Sequence, residues 1–286
     1  MDYREKRVHG EEGLPVSMYV SSPKTPRYHM NCHWHSEHEI IYVKAGRLEL
    51  RLGMGEDPIV LRGGEVAFVQ GGTLHSAVPY DCTYICFVLD VARMLSQDDA
   101  CAEAIYRIDK GKWRITPHVS LRSPVFGELC EAMHQVLTRR EEGFAFFVKG
   151  YVLEFFGALL RERLFESGFS GSAGEEKNAG RMKIVLDFIQ KNYPREIELS
   201  ELARLSNMSP NYFCRYFRRL TGQTPIDYLI TYRLESSCYA LRTTDLTVTD
   251  IAFSCGFNDV SHFVKMFRKM YGMTPKSYRL IQGREA

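Results

Sequence analysis

Six residues in the first third of the chain, Arg47-Leu48-Glu49-Leu50-Arg51-Leu52, alternate charged and apolar without a fault. A period of two predicts a strand with one buried and one wet face. Around it, over residues 30–90, Gly53, Gly63-Gly64 and Gly71-Gly72 punctuate further short apolar runs. That pattern predicts a small barrel or a double-sheet roll. The period then changes. Val125, Leu129, Met133 and Val136 recur at steps of four, four and three, and Phe144, Phe147, Tyr151, Phe155 and Leu159 do much the same. Two amphipathic helices follow, within about 124–165, with Glu141-Glu142-Gly143 as the turn. Such a pair packs on its own domain, on a twin subunit, or on both. From Ser167 to Gly180 the chain is Gly, Ser and charge with almost nothing to bury, which predicts a linker over 167–180.

The last 90 or so residues repeat themselves. Leu202-Ala203 is echoed by Ile251-Ala252 at an offset of 49. Phe213 and Phe217 are echoed by Phe263 and Phe267, Gly222 by Gly272, and Thr224-Pro225 by Thr274-Pro275, all at 50. The second copy therefore carries one extra residue in its turn, near Gly256. Each copy reads as two short helices across a tight turn. In the first, a helix from Ser200 to Leu205 leads to Ser209-Pro210, an N-cap residue followed by a proline suited to the first helical position. In the second, Thr247 starts the first helix and Asn258 caps the next. Thr224-Pro225-Ile226-Asp227 caps a connecting helix of roughly 225–241, about 25 Å long at 1.5 Å per residue.

Phe213, Phe217, Phe263 and Phe267 read as core. On the opposite face of the first copy lie Asn211, Cys214, Arg215 and Arg218, and in the second Val260, Ser261, Val264 and Lys265, with Arg268 and Lys269 placed for phosphates. Arg215 and Lys265 occupy the same repeat position. Charge agrees with this division: the net formal charge is +2, but residues 179–286 hold 16 basic against 10 acidic residues while 1–178 hold 21 against 25. A content of 45% hydrophobic and 25% charged residues is that of a soluble globular protein, and 286 residues suffice for two domains. No apolar run reaches the length of a membrane span, and the first residues lack a signal peptide's apolar stretch, so a cytoplasmic protein is expected. The eight cysteines show neither C-x-x-C pairs nor zinc-finger spacing and read as reduced, mostly buried thiols.

Residues 183–280, and above all the stretch from Ile251 to Arg279, resemble the DNA-binding domain of the AraC/XylS family of bacterial regulators. The resemblance implies recognition helices at 209–221 and 258–271 entering successive major grooves. It also implies a double-stranded DNA operator, a small-molecule effector, RNA polymerase and a second copy of the chain as partners. Upstream, His33-Trp34-His35, Glu39 and Gly46 fit H-x-H-x3-E-x6-G, and Gly64, Gln70-Gly71-Gly72 and His75 follow. This resembles the paired motifs of the cupin barrel. In metal-binding cupins the corresponding residues, here His33, His35, Glu39 and His75, hold one divalent ion, and imidazole with carboxylate suits Mn, Fe, Ni or Zn. The sequence departs from the motif at Arg27, Gln70 and Pro79. Because regulators of this family sense organic effectors with the same region, the four side chains are expected to line an effector pocket, with Trp34, Tyr42 or Phe68 as apolar walls.

The expected fold is therefore α+β and multidomain: a cupin-like effector and dimerisation domain over 1–166 and an all-α double helix-turn-helix over 181–286. The expected function is sequence-specific transcriptional regulation, more as activator than repressor, in response to a small molecule such as a sugar. No catalytic residues and no cofactor are expected. The alternative is a metal-dependent cupin enzyme fused to a DNA-binding tail.

Overall fold

The computed structural model describes residues 13–282, apart from 24, 26, 27, 54–56, 97, 98, 122 and 168–172. The chain divides near residue 176 into two compact units.

The first unit is built on strands β1 (Val16–Ser21), β2 (Met30–His33), β3 (His38–Leu52), β4 (Ile59–Arg62), β5 (Val66–Val69) and β6 (His75–Leu89). The two long strands, β3 and β6, pair antiparallel from His38↔Leu89 to Leu52↔His75, with register shifts around Ala45. Those bulges bend the pair. On one side of the bend β1 joins β6 and β5 joins β3; on the other, β2 joins β6 and β4 joins β3. The sheet thus folds over on itself, and its inner faces meet in a core of Ile41, Val43, Leu48, Leu50, Leu61, Val69 and Tyr84. This is the barrel-like roll that the alternation predicts. Arg27, one of the motif departures, lies outside the described residues.

The other face of the sheet carries a second core. Ile40, Tyr42, Phe68, Ile85 and Phe87 pack against Phe126, Leu129, Met133, Val152, Phe155 and Leu159. Those last six come from helices α2 (Val125–Arg139) and α3 (Phe144–Arg161), which follow α1 (Ala102–Asp109). A short ribbon of β7 (Trp113–Ile115) and β8 (Phe165–Ser167), which the sequence reading did not anticipate, closes the unit. Helix α2 lies so close to the sheet that a Cβ on Gly127 would stand 2.8 Å from the Gly64 carbonyl oxygen.

Two expectations are corrected here. The expected stripe of α3 is buried at Phe155 and Leu159 and half-buried against the core at Phe144 and Tyr151, but Phe147 stays 57% exposed beside Phe146 at 84%, and Val148, Val152 and Phe156 complete the buried face. An almost wholly apolar helix offers several stripes, and the sheet below chooses among them. The expected linker is shorter than 167–180, because α4 (Ala173–Asn192) is already helical from residue 173. Lys177 and Ala179 are good helix formers. The apolar stripe Met182, Val185, Leu186 and Ile189 then anchors α4 in the second unit.

That unit continues with α5 (Leu199–Leu205), α6 (Pro210–Thr221), α7 (Pro225–Thr243), α8 (Val248–Ser254), α9 (Val260–Tyr271) and α10 (Pro275–Gln282). Four residues separate α5 from α6 and five separate α8 from α9, the extra residue that the offsets predict. Phe213, Phe217, Phe263 and Phe267 are fully buried. Thr224 and Thr247 cap α7 and α8 through the backbone N–H groups of Asp227 and Asp250. The cap of α9 is Asp259, whose carboxylate accepts from the Ser261 N–H, and not Asn258 as expected. The residue inserted in this turn moves the cap one place along.

Candidate DNA interface and effector site

Helix α6 buries Phe213, Tyr216, Phe217 and Leu220 and leaves Asn211, Arg215 and Arg218 exposed, with Cys214 half-buried beside them. The period of 3.6 separates the two sets, since residues at i and i+4 share a face. Helix α9 repeats the division. Phe263 and Phe267 are buried, and Ser261, Lys265 and Arg268 are exposed. Val260 and Val264, expected to point outward, are instead half-buried against the core of Leu234, Ile251, Phe257 and Phe263. Both valines also border a shallow groove of about 670 Å³ shared with Ser261, Lys265, Arg268 and Lys269. Arg218, Arg219, Arg268 and Lys269 lie in the last turns of their helices, where the macrodipole favours cations with or without a ligand.

Sequence reasoning missed what braces this unit. Arg233 on α7 donates from Nε to the Tyr193 carbonyl at 2.8 Å and from a terminal nitrogen to the Arg195 carbonyl at 2.8 Å. Arg279 on α10 does the same for Leu241 and Leu246. No local signal in the sequence marks a guanidinium that binds carbonyls so far away along the chain.

In the first unit, His33, His35, Glu39 and His75 come together: one ligand atom from each lies within 4.8 Å of the others. The four come from the end of β2, the β2–β3 turn, the start of β3 and the start of β6. Glu39 pairs in register with Val88 and His75 with Leu52, thirteen positions away along the two strands. On a flat sheet that separation would be about 40 Å. Folding the sheet brings the Glu39 carboxylate Oε2 to 2.9 Å from His75 Nε2 and 3.3 Å from His35 Nε2. Burial opposes ionisation of Glu39, but hydrogen bonds from the two imidazoles and their charge outweigh it and hold the carboxyl well below its usual range. The Cys86 thiol, a neighbour absent from the sequence reading, is pushed well above the usual range by burial and then by the Glu39 charge and hydrogen bond. Cys86 pairs with Ile41, two residues along β3 from Glu39 and so on the same face of the sheet.

Each histidine is held by its other nitrogen. Nδ1 of His33 lies 2.8 Å from the Asn31 carbonyl, that of His35 3.0 Å from the Glu37 carbonyl, and that of His75 2.9 Å from the Thr73 carbonyl. A carbonyl only accepts, so each Nδ1 carries a proton and each Nε2 is the atom that can serve as a ligand. Three imidazole nitrogens and a carboxylate oxygen form a donor set that fits a divalent ion of the Mn, Fe, Ni or Zn type.

Trp34 is half-buried in the same turn. Tyr42 and Phe68 are not at this site. Tyr42 lies an odd number of residues from Glu39, so it points to the opposite face of β3, and both rings pack in the core under α2 and α3. His38, also outward, accepts at Nδ1 from the Gly71 N–H and donates from Nε2 to Asp109 at 2.7 Å. Gln70, at the motif's proline position, donates to the carbonyls of Ile108 and Trp113 and accepts from the Ile115 N–H. It ties α1 and β7 to the sheet, a role proline has no side-chain groups to fill.

Comparison with known proteins finds one family match in each unit. Residues 15–156 match the model of an AraC-like ligand binding domain, and residues 202–280 match that of a helix-turn-helix domain. The chain is 25% identical over 287 residues to the uncharacterized HTH-type transcriptional regulator YdeC of Bacillus subtilis (strain 168), covering 96% of this chain and 95% of that one. It is 27% identical over 283 residues to the HTH-type transcriptional activator RhaS of Klebsiella pneumoniae (strain 342), covering 95% and 94%. Among solved structures, a lysine-to-alanine variant of apo ToxT from Vibrio cholerae strain SCE256 shares the fold, with a TM-score of 0.50 at 12% identity over 93% of this chain and 97% of that one. No helix among the described residues is long and apolar enough to cross a membrane.

Proposed function

The chain belongs to the AraC/XylS family of transcriptional regulators, and within it we propose an activator whose response is set by a ligand bound at His33, His35, Glu39 and His75. The observation that carries this reading is the pinning of three Nδ1 atoms by backbone carbonyls, which gives the Nε2 atoms the ligand role beside one buried carboxylate. An imidazole nitrogen this close to a carboxylate oxygen needs a positive species on or between them, either a second ring proton or a metal ion. Of these two we take the metal ion, because a divalent cation would use all four donors at once, whereas a second ring proton would occupy the nitrogen lone pair that a ligand needs. A second reading rests on the same acceptors: the hydroxyl hydrogens of a sugar-like metabolite would meet them equally. Trp34 contributes an apolar wall.

The effector domain covers about 1–166, and the DNA-binding domain runs from helix α4 to the end of the chain. The latter binds an operator through Asn211, Cys214, Arg215 and Arg218 on α6 and Val260, Ser261, Val264, Lys265 and Arg268 on α9. The protein acts as a homodimer and works on RNA polymerase; the exposed Phe146 and Phe147 on α3 support a covered face in the assembly. Ligand binding acts by differential affinity for two arrangements of that dimer.

The test is His35→Ala with His75→Ala in the full chain. Metal content of the purified protein, operator affinity and transcriptional response are measured together. A stoichiometric divalent ion in the parent and none in the variant is expected. Operator affinity without effector should stay within about tenfold, or 1.4 kcal/mol, because cluster and recognition helices lie in different units. The response should be lost. A variant that responds fully overturns the site. A metal-free parent that responds to a sugar favours the second reading. Turnover of a substrate by the metal-loaded parent favours the enzyme alternative.

A further inference from the structure

The two recognition helices match residue for residue at an offset of 50, yet they present different chemistry to the same kind of groove. On α6 the positions are Pro210, Asn211, Cys214, Arg215 and Arg218; on α9 they are Val260, Ser261, Val264, Lys265 and Arg268. Asn211 and Arg215 are exposed planar groups. An amide pairs in two places with the N6 and N7 of adenine, and a guanidinium with the O6 and N7 of guanine. Val260 and Val264 have no side-chain hydrogen-bonding atoms. Each is half-buried, with one edge in the core of Ile251, Phe257 and Phe263 and the other on the groove.

The base edges of the major groove hold one feature that rewards an apolar partner, the C5 methyl of thymine. We propose that α9 reads thymine through Val260 and Val264, while α6 reads guanine and adenine through Arg215 and Asn211. This rests on the reading of both helices as base-contacting. Two features of α9 suit methyl recognition. The valines stand one turn apart on one face, so they meet the groove as a continuous apolar strip. A β-branched side chain in a helix keeps essentially one χ1 rotamer, and here the core holds the inner edge, so the strip is preorganised. Ser261 is tolerant of either base type, and Arg268 and Lys269 at the far end serve the phosphates. Cys214, the partner of Val264 in the repeat, sits between two hydrogen-bonding side chains and builds no such strip. The consequence is polarity. Two unlike half-sites, one read by hydrogen bonds and one by methyl contacts, fix the direction in which a single chain lies on DNA.

The test uses the full-length protein and two randomised duplex libraries, one with thymine and one with deoxyuridine in its place, which removes only the C5 methyl. From the thymine library a site with a guanine-containing half and a thymine-containing half is expected. From the deoxyuridine library the guanine-containing half should persist, and the preference in the other half should fade. Rebuilding the selected site with deoxyuridine should weaken binding about three- to fivefold per contacted methyl. Val264→Ala should reduce that sensitivity, and Arg215→Ala should leave it intact. Equal binding to thymine and deoxyuridine sites by the parent protein overturns the inference and leaves base reading by α6 standing. No enrichment from either library overturns the DNA reading beneath it. The decisive comparison varies the DNA alone, so it does not depend on the folding of any variant.

Discussion

Replacing Gly256 by alanine separates two effects that are usually confounded. Gly256 sits in the α8–α9 turn at φ +88°, and a Cβ there would lie 2.6 Å from the Tyr193 carbonyl oxygen and 2.8 Å from that of Pro194. Gly222, after α6, has a similar φ of +75° with nothing within 4 Å. Both substitutions incur the left-handed penalty, about 1–2 kcal/mol. Only Gly256→Ala adds a clash, and it is with backbone that Arg233 already holds in place, so relief by a side-chain swing is closed. Overpacking of this kind costs about 1–3 kcal/mol more, giving about 2–5 kcal/mol in total. The assay exploits the placement of both tryptophans, Trp34 and Trp113, in the first unit. In urea, tryptophan fluorescence follows that unit while far-UV circular dichroism is dominated by the helices of the second. Gly256→Ala should move the dichroism transition to lower urea by clearly more than Gly222→Ala, with the fluorescence transition unmoved. Equal shifts for the two variants would refute the steric argument. A fluorescence transition that moves with the dichroism would refute independent unfolding of the units.

Arg215→Ala should weaken binding to the selected site by about 1–3 kcal/mol and relax one base preference; equal weakening on random DNA in a mobility-shift assay would make Arg215 a phosphate contact. Leu129→Asp with Met133→Asp should unfold the first unit and not merely split a dimer, because these side chains are 6% and 0% exposed and would bury charge; a folded monomer by sedimentation would contradict that placement. Phe147→Ser, at an exposed position, should keep the unit folded by tryptophan fluorescence while weakening the proposed dimer on the same sedimentation run. Gln70→Leu strips three hydrogen bonds from the backbone of α1 and β7 and should lower stability by about 2–4 kcal/mol; an unchanged fluorescence transition would show that these contacts are dispensable.

What was legible in the sequence is what short-range physics controls. Thr224 and Thr247 mark helix starts because a hydroxyl reaches an N–H within the same turn, and Phe213 and Phe217 share a face because 3.6 residues make a turn. The repeat offset of 49 then 50 places an extra residue in one turn without reference to any tertiary contact. Period two likewise puts Glu39 and Tyr42 on opposite faces of β3, although nearness in sequence alone suggests Tyr42 for the effector site. The partners of each face were not legible. An apolar stripe says that Leu129 and Met133 must be covered, and the same stripe suits an intersubunit seam or a core; only the packed structure shows the sheet beneath them. The closeness of Glu39 and His75, thirteen strand positions apart, depends on bulges near Ala45 that fold the sheet over. Bulges and closures of that kind are set by the summed packing of many distant side chains, and the local code of caps, turns and periods does not carry them.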